Sequence, residues 1–232
     1  MAKPQPRTLT VLARQQVSPS MIRLTLGGEG LADFPHGQEG GYVKLMFPPA
    51  PGKAKPTLRT YTIRALRPEN AEVDVEFVLH GDNGPASRWA MHAQPGDRLA
   101  MTAPDATAEG PAQGYEWKPP QGVRRILLIA DETALPAAAG ILETLDDLPL
   151  KPKVEALLEV PHLDDVQSLP QAAKLHWLAR DTEPSCRHGE LLMRALRDID
   201  LHREIQALGG APATPTTSAT THDESDDEDG PL

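Results

Sequence analysis

Cysteine is nearly absent from this 232-residue sequence: Cys186 stands alone, which rules out an intrachain disulfide and a cysteine-based metal cluster. The eight histidines lack metal-ligand spacing. Aromatic residues make up only 4%, too few for a barrel that stacks bases of a nucleic acid. No apolar run approaches the length of a membrane span, and residues 1–7 lack the apolar centre of a secretory signal. These absences point to a cytoplasmic protein with no membrane partner. An excess of basic charge is missing too. The net charge is −10, but six of the 33 acidic residues sit in the tail at Asp223, Glu224, Asp226, Asp227, Glu228 and Asp229. The rest has 27 acidic against 23 basic residues, a net charge of −4, which speaks against a nucleic-acid partner.

What is present divides the chain. Residues 8–103 hold six short segments of strand character: Leu9–Ala13, Ile22–Leu26, Tyr42–Phe47, Thr60–Ala65, Val73–Leu79 and Leu99–Thr102. Turn residues between them suggest a small antiparallel β-barrel, with one helix from Pro85 to Met91. A Gly/Pro-rich connection covers 104–122. From 123 to 208 the rhythm changes to βαβαβα: a continuous apolar strand at Arg124–Ala130, a helix through Ala137–Leu145, strands at Val154–Val160 and Lys174–Ala179, and an amphipathic helix from Gly189 to Ile199, extending through Ala207. That is a doubly wound α/β unit. Residues 209–232 have too few apolar groups to offset ordering entropy and read as a disordered acidic tail.

Three stretches carry chemistry. In Arg59-Thr60-Tyr61-Thr62-Ile63-Arg64 two guanidiniums bracket a tyrosine. Arg59 suits a pyrophosphate, which it meets with a bidentate fork, and Tyr61 offers a flat face and a hydroxyl. Read as one strand, the segment puts Arg59, Tyr61 and Ile63 on one face and Thr62 and Arg64 on the other. In the second stretch, His80 to Trp89, Gly84 and Pro85 open a helix whose Ala86 and Ser87 amides, with the Ser87 hydroxyl, suit a phosphate. Trp89 reads as core, and His80 as structural or adenine-side. The third, Asp131-Glu132-Thr133-Ala134-Leu135-Pro136, follows the first α/β strand, where open sheets bind ligands. No G-x-G-x-x-G is present. Glu159, at the end of the second α/β strand, suits a ribose 2′-hydroxyl and equally a solvated strand end; the first reading gives NADH a slight edge over NADPH.

These stretches, with Val43-Lys44-Leu45-Met46-Phe47-Pro48 and the turn Gln94-Pro95-Gly96-Asp97, resemble the siderophore-interacting protein family of the ferredoxin-reductase superfamily. The resemblance runs from about Leu9 to about Ile199, with its motifs in the family order. It implies an FAD-binding barrel followed by an NAD(P)-binding-like unit, and a ferric-siderophore reductase that passes electrons from NADH or NADPH through flavin to a ferric chelate. By that analogy Thr62 lies near the flavin N5, with Tyr61 beside it as the other catalytic residue. Arg59, Tyr61, Thr62, Ile63, Arg64, His80, Gly84, Pro85, Ala86, Ser87, Asp131, Thr133 and Ala134 bind cofactor. Lys44 is the candidate contact for an anionic ferric siderophore, ahead of Lys53, Lys55 and Arg67.

Two departures from the family pattern shape the expectation. The family commonly has an arginine on the helix after Asp-Glu-Thr-Ala-Leu-Pro, where this sequence has Ala137-Ala138-Ala139-Gly140. The family also continues past that helix near Leu191–Leu196 with a further strand, a helix and a Tyr-Trp-Arg segment, where this sequence has Leu201-His202-Arg203-Glu204. The implied α/β unit is then incomplete, with Ile126–Ala130 a sheet edge open to pairing with another chain. Two further readings stand beside the reductase: a flavin- or siderophore-binding protein without NAD(P)H turnover, and a flavin reductase serving other acceptors.

Overall fold

The structure is a computed structural model that describes residues 6–31, 41–49, 52, 54–82, 84–102, 117, 119, 122–146, 151–170 and 173–199. Lys53, most of the 104–122 connection and the 209–232 tail lie outside the described residues, as does the helix extension beyond 199. Met1–Leu196 form one compact unit; the second, Arg197–Leu232, is described only at 197–199.

Seven antiparallel strands build the first sheet: β1 (Pro6–Ser18), β2 (Met21–Gly27), β3 (Tyr42–Phe47), β4 (Thr57–Thr62), β5 (Ala65–Arg67), β6 (Glu72–Val78) and β7 (Arg98–Thr102). Their order is β4-β3-β7-β1-β2-β6-β5. β1 pairs with β7 through Pro6–Thr10 and with β2 from Thr10 onward. Register shifts between Val11 and Ala13 and between Gln16 and Ser18 bend it, as bulges do. Alternation supplies the core. Val73, Val75 and Phe77 of β6 face inward with Leu24, Leu26, Leu45 and Phe47. The other face of β6 carries Asp74 and Glu76, also buried, because Arg23, Thr25 and Arg67 cover them with ion pairs and a hydrogen bond.

One strand more is present than the six expected, because the Thr60–Ala65 segment is broken. β4 ends at Thr62, and β5 starts at Ala65 on the far side of the sheet order. The two residues between stitch the edges together: Ile63 N donates to Gly41 O at 2.8 Å, and Arg64 N to Asp74 O at 2.9 Å. A sheet whose edge strands are consecutive in the chain has to curl, and the result is the expected barrel. Helix α1 (Pro85–His92) packs against it through Ala86 and Ala90.

The second sheet is parallel, with β8 (Arg125–Ala130), β9 (Lys153–Val160) and β10 (Lys174–Ala179) in the order β10-β9-β8. α2 (Leu135–Asp146) covers the face made by Ile126, Leu128, Ala130, Ala156, Leu158 and Val160. α3 (Glu190–Asp198) follows β10. Among the described residues β8 is an edge strand, as expected, and its Ile129 is half-exposed. No described helix is long and apolar enough to cross a membrane.

The two sheets share a seam. Met21, at the β1–β2 turn, is buried in the α/β core. Beside it the buried Asp165 carboxylate accepts hydrogen bonds from Ser18 Oγ (2.6 Å), Ser20 N (2.7 Å) and His162 N (3.2 Å).

Candidate functional site

β4 is an edge strand, and its pairing with β3 sorts the motif side chains. Arg59 lies opposite Leu45 and Tyr61 opposite Val43, both partners fully buried, so Arg59 and Tyr61 share the inward face. Thr60 and Thr62 lie opposite Lys44 and Tyr42 on the outward face. Tyr61 and Thr62 therefore point to opposite faces of one strand, and Lys44, which is exposed, sits on the side of Thr62.

The β4 and α1 motifs meet through aromatic rings. The Tyr61 ring lies 4.5 Å from Phe77 and 6.1 Å from Phe47, and Trp89 of α1 lies 5.8 Å from Phe47 and 6.2 Å from Phe77. Trp89 packs against the core, as expected, but is only partly buried. Burial pushes the Tyr61 phenol up to about 12, against the opposing pull of Arg59. In a spectrophotometric alkaline titration, Tyr61→Phe removes a phenolate step near pH 12; loss of a step near the ordinary tyrosine value of about 10 would contradict this packing.

Arg59 is exposed, and its Nη1 donates only to the neighbouring carbonyl of Leu58, at 2.9 Å. Among the described residues no carboxylate holds it, so its fork is available to a ligand. At α1, the first-turn amides have no carbonyl inside the helix to pair with, and Pro85 has no amide to lose. The Ser87 hydroxyl is not available to phosphate as expected: it is buried and donates to Gly81 O at 2.9 Å, while His80 N donates to it at 3.4 Å. Its role is to close the turn, where Gly81 takes φ +80°, and only the Ser87 amide is left for an anion. A Cβ built on Gly84 would meet only His80 Cε1, at 3.8 Å. An open groove of about 360 Å³ continues from Pro85, Arg88 and Trp89 to Pro48 and Pro49. The donor set fits a flavin dinucleotide: a guanidinium that no carboxylate among the described residues holds, helix-end amides for phosphate, and a tyrosine for the ring system.

Arg64 is placed otherwise than expected. The chain has left the strand, so Arg64 does not share the face of Thr62. It makes a bidentate pair with Glu143 of α2 (2.7 and 2.6 Å), and its Nε faces Glu76 at 3.6 Å. The residue thus fastens α2 of the α/β unit to the turn that follows β4.

At the carboxyl ends of the parallel strands, Asp131 Oδ1 accepts Thr133 N (2.9 Å), Thr133 Oγ1 (2.6 Å) and Ala134 N (3.0 Å). Burial alone would raise the Asp131 pKa, but these hydrogen bonds and His188 outweigh it and lower it. Glu159 is neither a ribose ligand nor a solvated strand end. It is buried, and accepts Arg180 Nη1 (2.8 Å), Gly189 N (2.6 Å) and Leu192 N (3.2 Å). A carboxylate in the interior needs such partners, and the arginine and the start of α3 supply them. Arg180 also forks onto Glu132 at 2.8 and 2.6 Å. His188 Nε2 lies 3.1 Å from Asp131. Arg180 and His188 were not singled out from sequence, and Glu132 only as a member of the Asp131–Pro136 stretch. Nothing local marks Arg180, which is 48 residues from Glu132. No hydrogen bond, ion pair or ring contact among the described residues links Asp131, Thr133 or Ala134 to the β4 motif.

Residues 10–55 and 49–108 match the model of the siderophore-interacting FAD-binding domain, and residues 123–221 that of the siderophore-interacting protein. The chain is 32% identical over 197 residues to the ferric vibriobactin reductase ViuB of Vibrio cholerae, covering 76% of this chain and 67% of that one. It is 33% identical over 197 residues to the NADPH-dependent ferric-chelate reductase of Escherichia coli, covering 76% and 72%. Among solved structures it is similar to a siderophore utilization protein from T. fusca, with TM-score 0.70, 33% identity, and coverage of 86% of this chain and 78% of that one.

Proposed function

Since the chain belongs to the siderophore-interacting protein family, we propose that it is an FAD-dependent ferric-siderophore reductase, taking electrons from NAD(P)H and releasing iron as Fe(II). The observation that carries this reading is that Tyr61, beside Arg59 on β4, shares one aromatic cluster with Trp89 of α1, while among the described residues no carboxylate holds the Arg59 fork.

Bound FAD supplies the conversion of a two-electron hydride donor into single electrons, so that two Fe(III) are reduced for each NAD(P)H consumed. The chain's own residues do the rest. Arg59 and the Ala86 and Ser87 amides would hold the pyrophosphate and offset its charge. Tyr61, held by Phe47 and Phe77 and neutral throughout the physiological range, gives the ring system a rigid flank and a hydroxyl that stays protonated. Thr62 ends the strand on the opposite face, where by the family resemblance its hydroxyl would serve the ring system. Lys44, exposed on that same outward face, attracts an anionic ferric chelate. Reduction weakens hard-oxygen ligation of the iron, and the metal leaves.

The test is anaerobic mixing of the FAD-loaded protein with NADH or NADPH, followed by a ferric catecholate and a chromogenic Fe(II) chelator. Loss of the flavin absorbance and then colour from Fe(II) is expected. A flavin that stays oxidised with both nucleotides overturns the reductase reading and leaves a flavin-binding protein.

A further inference from the structure

Antiparallel strands with one face on the core turn polar side chains to water on the other. The outward face of the β3–β4 hairpin carries Tyr42 opposite Thr62, Lys44 opposite Thr60 and Met46 opposite Leu58. Tyr42 is 39% exposed and Leu58 45%, and Lys44 between them is exposed too. One exposed apolar group on such a face is ordinary; the place of Tyr42 is not. A bond of 2.8 Å from Ile63 N to Gly41 O ties the two strands together one residue beyond Tyr42 and Thr62. It makes Tyr42 and Thr62 a non-hydrogen-bonded pair, the kind whose side chains stand closest, with Cβ atoms about 4.5–5.5 Å apart. Leu58 lies four residues back from Thr62, about 13 Å along the strand.

Resting on the reductase reading above, in which Thr62 serves the flavin ring, we infer that Tyr42 is a specificity-determining residue for the ferric chelate, and that it selects chelates whose iron-binding arms are aromatic. An aromatic arm laid on the exposed Tyr42 gains offset or edge-to-face contact with its ring. The negative charge of the same chelate meets Lys44, two residues along the strand and about 7 Å away. The two side chains divide the work. Lys44 reads charge, whatever the arms are made of, and Tyr42 reads the arms. A chelate seated on both lies at the Thr62 end of β4, beside the ring that reduces it. β3 is paired with β4 on one side and β7 on the other, so a rigid strand presents the Tyr42 ring and little ordering is lost on binding.

The experiment is calorimetric titration of the oxidised, FAD-loaded protein, without pyridine nucleotide, with two ferric complexes of equal charge: a hexadentate tris-catecholate and the trisoxalate, both trianions. The catecholate is expected to bind about fivefold more tightly. Tyr42→Ala is expected to remove about that fivefold for the catecholate and to leave the oxalate within about twofold, whereas Tyr42→Phe, which keeps the ring, keeps the preference. Lys44→Ala weakens both complexes alike, and Leu58→Ala weakens neither. All three side chains are exposed, so the variants retain the fold. Equal affinity for the two complexes in the unaltered protein overturns the inference, as does binding of neither, or a Tyr42→Ala loss shared by both. A dimer that Tyr42→Ala dissolves gives this face to a second copy and overturns it too. Flavin reduction by NADH or NADPH, measured without any chelate, tests the reductase reading separately, so the two can fail independently.

Discussion

Arg59→Ala is expected to weaken FAD binding about 100-fold. A charge-assisted hydrogen bond is worth about 1.5–3 kcal/mol, and the lost fork makes two of them to phosphate. Arg59→Lys keeps the charge without the fork and falls between the two. The unfolding free energy of the flavin-free protein should change by no more than about 0.5 kcal/mol in either variant, because the guanidinium is exposed and, among the described residues, bonds only to Leu58 O. Flavin fluorescence titration measures the first quantity and denaturant unfolding the second. Unchanged FAD affinity would remove Arg59 from the flavin site. A large loss of stability would instead show that it holds the barrel.

Asp165→Ala has the largest expected effect on stability, about 3 kcal/mol, or on the order of 10 °C in Tm. Its carboxylate is 2% exposed and ties Ser18 Oγ, Ser20 N and His162 N at the seam between the sheets. Truncation leaves these donors unpaired beside the buried Met21, and a buried donor without an acceptor costs its full desolvation. The effect depends on pH with a definite sign. Burial on its own raises the Asp165 pKa, but the hydrogen bonds from Ser18, Ser20 and His162 outweigh it and hold it below the ordinary value. Its stabilisation is therefore fully present above the unfolded carboxyl value of about 3.9 and is lost as pH falls through the lower folded value. The variant's deficit should accordingly be full at neutral pH and shrink on acidification, measured by urea unfolding at several pH values. A deficit that grows on acidification would contradict the assignment.

Strand and helix placement was largely legible because it depends on local pattern. The alternation Val73-Asp74-Val75-Glu76-Phe77 could be read directly as β6, and the unbroken run Ile126-Leu127-Leu128-Ile129 as a strand of a parallel sheet. The break at Ile63-Arg64 was not legible, since both residues continue an acceptable strand pattern. What ends the strand is that Ile63 N bonds to Gly41, just before β3, while Arg64 N bonds to Asp74 of β6, toward the other end of the strand order. The Arg59–Arg64 segment could be picked out as a candidate flavin site, but the fate of its second arginine was not legible.

The sequence by itself determined a barrel followed by a βα unit, the place of the candidate flavin motifs on β4 and α1, and the family. Only the tertiary structure decided how the charged side chains are used. It left Arg59 open, gave Arg64 to Glu143 across 79 residues of sequence, joined Arg180 to Glu132 across 48, and bound Asp165 to Ser18 across 147. The physical reason is range. Periodicity and turn chemistry act within a few residues, whereas the partner of a buried charge is chosen by whatever the fold brings within about 3 Å.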